Sequence, residues 1–502
     1  MADSWVVLDQ SRHGVQQMLR STVGYHYIPV AEAFTWLLWR LSGLHVTRYQ
    51  VLNLAELVLV AWALYLFGTA LLRRPWISFM ASLLLIASPA IHEVTHWAVI
   101  GNFHLLAGLF YLAGLGVALR MGRDETRRGP VWLGWLFALF LCLAVLTYEA
   151  TITMLPVGFA LWLVARPSRA MAEGMGWSRT LAAWAPSVLA LVPGVLARAH
   201  FGRGVQGSTN WGIDWAHRVY AVRGLLATFS LRDGDPLSDL LGWGLYDGRG
   251  HILPYLIGWL AVFTALAVLA CWKGSWPVRL LVFWFALHWG VSSLAVMIQS
   301  RHYFLLALPG SLLVALGLAT VGQRATRLVE GRLVRAGQVT ALAVPALVLC
   351  GLLVGCLRDL GRCRAVYGRA AAANQALIES VRARANSAGS HRIVLVDLPA
   401  RIREDGYGAY PFLNGTHQLI SLFFGSEVKV ELVRSPTALD DVANGSVPLP
   451  AEDIATLSRA ADVVFLRWDE ASERLVTAPG PGAPGAPTAA LTRRPRKYEL
   501  FH

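Results

Sequence analysis

The chain has 502 residues, 55% of them hydrophobic and 15% charged, with a mean hydropathy of +0.49. Apolar residues in that proportion, in blocks longer than a strand or an amphipathic core helix needs, exclude an ordinary soluble domain and point to a polytopic membrane protein. The net charge of +13 is carried mostly by arginines in short clusters between the apolar blocks, where they orient a chain in a bilayer, so no nucleic-acid partner is implied. The five cysteines form neither a disulfide framework nor a Cys-x-x-Cys metal site.

In chain order, residues 1–24 are mixed and polar without a basic-then-apolar region, which predicts an opening loop and no signal peptide. Residues 26–45 carry Glu32 and Arg40 among aromatics and leucines and suit a helix lying at the membrane interface. Spans are predicted at roughly 50–72, 77–92, 101–120, 131–148, 150–166, 180–198, 253–272, 280–298, 302–322 and 338–357, each near the length of a ~30 Å hydrocarbon layer. Arginine and lysine clusters at 73–74, 120–128, 166–179, 273–279 and 324–335 fall on alternate loops and mark the cytoplasmic side. That alternation places both termini outside, and with about ten spans it implies one more upstream of Met1.

Beyond the last span, residues 358–387 are expected to form a helical connector. Residues 388–476 are expected to form a small outer α/β domain with buried strands at 391–399 and 462–469. Residues 477–502, rich in proline, glycine and alanine at their start, read as a flexible tail.

The polar stretch Ser88-Pro-Ala-Ile-His-Glu-Val-Thr-His-Trp97 interrupts two apolar runs, and polar groups at that depth need a reason. His92-Glu93-Val94-Thr95-His96 fits His-Glu-x-x-His, in which two histidines one turn apart hold zinc while the glutamate activates water. A helix over 89–100, capped by Ser88 and opened by Pro89, would put His92 and His96 on one face. A third ligand is not evident, so a divalent metal ion stays an alternative and no cofactor is required.

Together with Gly101-Asn-Phe-His104, the same stretch resembles the Pro-x-His-x-Glu-x-Val-x-Trp type of segment in integral-membrane glycosyltransferases of the C superfamily, particularly protein O-mannosyltransferase-like enzymes. Three more segments resemble that family in the right order: His26-Tyr-Ile-Pro29, Tyr148-Glu149 followed by Pro156, and Ser300-Arg-His-Tyr-Phe304. They cover residues 1–320. Tyr148 departs from the pattern, standing where a lysine is common, and the small outer domain replaces the tetratricopeptide tail of animal members.

The resemblance implies an all-α polytopic membrane protein with about ten transmembrane helices, glycosyltransferase-C-like over residues 1–357, with a small α/β outer C-terminal domain. It implies transfer of a sugar from a polyprenyl-phosphate donor to a protein, glycan or lipid acceptor at the outer face of the inner (plasma) membrane. It also implies an aspartate general base in the first outer loop, for which Asp3 is the first candidate and Asp9 the second. A carboxylate suits the step because the acceptor hydroxyl loses its proton as the sugar–phosphate bond breaks.

Arg301, forked and permanently charged at the outer boundary, suits the lipid phosphate, with Tyr303 beside it. Glu149, His92, Glu93 and His96 would line the same vestibule. In the long loop 199–252, Trp211 and Trp215 suit either sugar stacking or membrane anchoring. Within the spans, His288 and Glu56 are expected to form inter-helix hydrogen bonds. A membrane zinc metalloprotease built on His92-Glu93-x-x-His96 and a non-catalytic membrane protein are the alternatives.

Overall fold

The computed structural model describes residues 2–14, 27–96, 98–123, 129–166, 177–201, 268, 274–293, 304–329, 334–388, 392–396, 402–404, 407–409, 416–424, 429–433, 463–469 and 474–477. It divides into two compact units. One comprises residues 13–361, and the other joins residues 1–12 to residues 362–502.

The larger unit is helical. It contains α2 (Pro29–Ser42), α3 (Val46–Leu72), α4 (Pro75–Ala87), α5 (Pro89–His96), α6 (Ile100–Arg123) and α7 (Gly129–Thr147). After these come a 3-10 turn η1 (Glu149–Thr153), α8 (Met154–Ala165), α9 (Trp177–Phe201), α10 (Trp276–Ser293) and α11 (Phe304–Val329). Prolines open α2, α4 and α5, where a missing N–H costs nothing. Three helical stretches, Val46–Leu72, Ile100–Arg123 and Phe304–Arg324, are long and apolar enough to cross a membrane. Val51, Leu54, Val58 and Trp62 of α3, and Leu181, Val188 and Leu189 of α9, are exposed, a surface suited to lipid and costly in water.

Contacts set the direction of each helix. Gly101 of α6 lies against Asn53 of α3, Gly108 lies against Val60, and Arg123 donates to the Ala70 carbonyl at 2.8 Å, so α3 and α6 run parallel. The helix between them returns antiparallel, with Ser82 donating to the Ala61 carbonyl at 2.8 Å. Gly122 packs on the Trp162 carbonyl and Ala165, which brings Arg166 to the end that holds Arg73 and Arg123. There the Arg166 guanidinium lies 3.4 Å from the centre of the Trp162 ring. These arginines form a basic end, as the loop alternation predicts.

Several local expectations are corrected. Residues 2–12 form a helix, α1 (Ala2–Arg12), not a loop. The span expected over 77–92 stops at Ala87, because Ser88 is extended (φ −62°, ψ 133°), as a residue before proline prefers. The helix expected over 89–100 ends at His96. The last span and the connector are one unbroken 55-residue helix, α12 (Val334–Ala388). The expected span at 253–272 and the loop tryptophans Trp211 and Trp215 lie outside the described residues.

In the second unit, β1 (Arg392–Val396), β2 (Ile402–Glu404), β3 (Tyr407–Ala409), α13 (Thr416–Phe424), β4 (Lys429–Val433), β5 (Val463–Asp469) and β6 (Arg474–Thr477) follow α12. The four-stranded sheet has the order β4-β1-β5-β6. The predicted strands β1 and β5 pair in parallel, Ile393 opposite Val464, and β1 also pairs in parallel with β4. Ile393 and Leu395 are fully buried, so the short apolar run in β1 is a core strand. The N-terminal helix packs here: Arg12 donates to the Ser421 carbonyl at 3.0 Å and to its hydroxyl at 2.6 Å. Val7 and Leu8 are buried.

Candidate functional site

Among the described residues of the helical unit, the buried carboxylates and imidazoles are Glu32, Glu56, His104 and His288. Glu56 and His104 lie in the N-terminal halves of α3 and α6, away from the basic end. His288 meets the start of α8 through Thr153, and Glu32 lies on α2, which leads into the start of α3. Buried Asn53, Asn102, Thr147, Thr151 and Thr153 join them. The helical unit therefore has a polar end opposite Arg73, Arg123 and Arg166.

Three contacts tie this end together. Asn53 of α3 donates its side-chain amide to the carbonyls of Thr95 at 3.3 Å and Ala98 at 3.4 Å, holding the end of α5 and the turn after it. Gly101 allows α6 to start close by, since a β-carbon there would land on the Val94 carbonyl oxygen. His104, one turn along α6, places its ring 4.7 Å from that of Tyr148, the residue before Glu149. His96 and Glu149 are both partly buried and belong to these adjoining segments.

Beneath lies a second polar group. His288 Nε2 is 3.0 Å from Tyr111 Oη and 3.0 Å from Thr153 Oγ1. The Tyr111 ring stacks on Trp284 at 5.7 Å and 15°. The expected inter-helix hydrogen bonding of His288 is present; for Glu56, Oε2 is buried without a hydrogen-bond partner. Asn102 likewise has neither amide atom paired while being fully buried. Near the start of α2, burial and secondarily the Glu32 carboxylate raise the pKa of Tyr27 above the usual phenol value.

The other predicted site residues are placed as follows. His92 and Glu93 lie on α5, their side chains outside the described residues. Arg301 and Tyr303 also lie outside them, directly before α11, whose first residue Phe304 packs against Gly108. Asp3 and Asp9 are on α1, in the other unit, and Asp9 forms an ion pair with Arg12 at 2.8 Å. Among the described residues no group of three or more His, Cys, Asp or Glu side chains is arranged to hold a metal ion. Asn53 was missed by motif reasoning, and Asn102 and His104, though within the resembling segment Gly101–His104, were given no role; their signal was only a polar residue beside or inside an apolar run.

No family model matches the chain, and no curated protein matches it significantly.

Proposed function

We propose that this protein is a multi-pass membrane glycosyltransferase of the C-superfamily type, transferring a sugar from a polyprenyl-phosphate donor to a protein, glycan or lipid acceptor at the outer face of the plasma membrane. The observation that carries the reading is the polar end itself. Residues 27–29, 88–96, 101–104 and 148–149, which resemble the family's segments, belong to the elements that meet where buried polar groups collect, opposite Arg73, Arg123 and Arg166. In this reading the chain crosses about ten times. α9 and α10 run in the same direction, so the reading calls for an odd number of crossings between them.

The acceptor oxygen bonds to the sugar's anomeric carbon, the carbon–phosphate-oxygen bond breaks, polyprenyl phosphate leaves, and the acceptor's proton passes to a carboxylate. Asp3 keeps first place as that base. Asp9, engaged by Arg12, yields second place to Glu32, a carboxylate within the helical unit. Arg301 and Tyr303 are assigned to the lipid phosphate, and Glu149, His92, Glu93, His96 and the unpaired amide of Asn102 to binding the donor sugar and phosphate.

The test is sugar transfer from labelled polyprenyl-phosphate mannose and glucose by the protein in lipid nanodiscs, comparing wild type with Asp3→Asn, Glu32→Gln, Arg301→Ala and His96→Ala, with bound metal quantified. Transfer abolished by Arg301→Ala and by one of the two carboxylate changes, without stoichiometric metal, supports the reading. Stoichiometric zinc lost in His96→Ala, with no transfer from either donor, rejects it in favour of the protease.

A further inference from the structure

We propose that the buried chain Tyr111–His288–Thr153 is a positioning device that holds the turn bearing Glu149, with His288 as the residue through which the hold is exerted. The inference rests on the transferase reading for the purpose of the turn, and on geometry alone for the hold.

Side-chain exposure is at most 2% for all three residues, so water does not complete their hydrogen bonds and each proton needs an acceptor within the group. Thr153 Oγ1 donates to the Ala150 carbonyl at 3.0 Å, which commits its single proton, so toward His288 it acts as acceptor. His288 lies between the two, with Thr153 Oγ1 3.0 Å from Nε2 and 3.3 Å from Nδ1, and with Tyr111 Oη 3.0 Å from Nε2. The network thus runs from α6 through α10 into η1, ending on the carbonyl of the residue after Glu149.

The opposite end of the turn is held by the Tyr148 ring against His104. Glu149 therefore sits between two anchors, both on α6. The Tyr111 ring also stacks on Trp284, one turn before His288 on α10, so ring and hydroxyl grip the same helix. Apolar residues would pack α6, α8 and α10 without desolvating three polar groups. What they would not supply is a fixed position for the Ala150 carbonyl, which a fully satisfied buried network does.

The experiment measures backbone hydrogen exchange over residues 149–153 in nanodiscs, and transfer from polyprenyl-phosphate mannose, for wild type, Tyr111→Phe, Thr153→Val, Thr153→Ser and the Tyr111→Phe/Thr153→Val double variant. Tyr111→Phe removes one oxygen and keeps the stack, so it reports on the hydrogen bond even where Thr153→Val fails to fold. The expected result is faster exchange confined to the turn and a kcat lowered about 10- to 100-fold at unchanged KM. Thr153→Ser retains wild-type behaviour, and the double variant is no worse than the poorer single one. Unchanged exchange over 149–153 in Tyr111→Phe, or additive effects in the double variant, would overturn the proposal. Faster exchange in a protein whose wild type transfers nothing keeps the hold and removes the transferase reading.

Discussion

Asn102 costs stability as it stands. Its amide is fully buried with both polar atoms unpaired, a desolvation penalty of about 1–3 kcal/mol. Asn102→Leu, close in volume, is therefore expected to raise the unfolding temperature in detergent while lowering sugar transfer; a variant that gains stability and keeps full transfer would strip Asn102 of its ligand role. The same reasoning separates what residue-level reading could and could not see. His288 in an apolar run announces a hydrogen-bond partner, and it has two. Glu56 announces one equally well, yet its Oε2 has none, because which neighbour a side chain meets depends on helix rotation that composition does not encode. Asp9 read as a loop acid is an ion-paired helical residue, since loop and weakly patterned helix look alike over eleven residues.

The helices themselves were legible where apolar runs are long, as in α3, α6 and α11. Their ends were not. Ile91 and Val94 are buried and extend the hydrophobic signal beyond Ala87, but Pro89 makes Ser88 extended and starts a new helix. In α12 the opposite holds: buried Val366, Ala370, Ala373, Leu377 and Val381 recur at helical spacing beyond the apolar span, and the helix continues without a break. Close helix crossings rest on small residues. At Gly134 of α7 a β-carbon would strike the Ala183 carbonyl of α9, backbone that has no rotamer with which to yield. Gly134→Val is expected to destabilise the helical unit by about 1–3 kcal/mol, read as a lower midpoint in thermal unfolding, whereas Gly116→Val, with open space around it, leaves the midpoint within about 0.5 kcal/mol of wild type.

At the scale of the whole chain, α1 and α13 pack within one unit. The proposed membrane reading then requires an even number of crossings between them, with both on one side of the bilayer. In a cysteine-free background, Asp3→Cys and Thr477→Cys should both react with an impermeant maleimide applied from the same side; labelling from opposite sides would break the unit apart. This pairing was invisible in the sequence, because the Arg12–Ser421 contact joins positions 409 residues apart and neither end carries a motif for the other.

That separation has a cost in time. A ribosome adding roughly 5–20 residues per second needs roughly 20–80 s to deliver Ser421 after Arg12. Through that interval Val7 and Leu8 have no partner surface, while the helices between them enter the bilayer one after another. Helix α1 is thus buried long after it is made, and a chain cut short before α13 would leave that helix face bare, a handle for the proteases that clear unfinished membrane proteins.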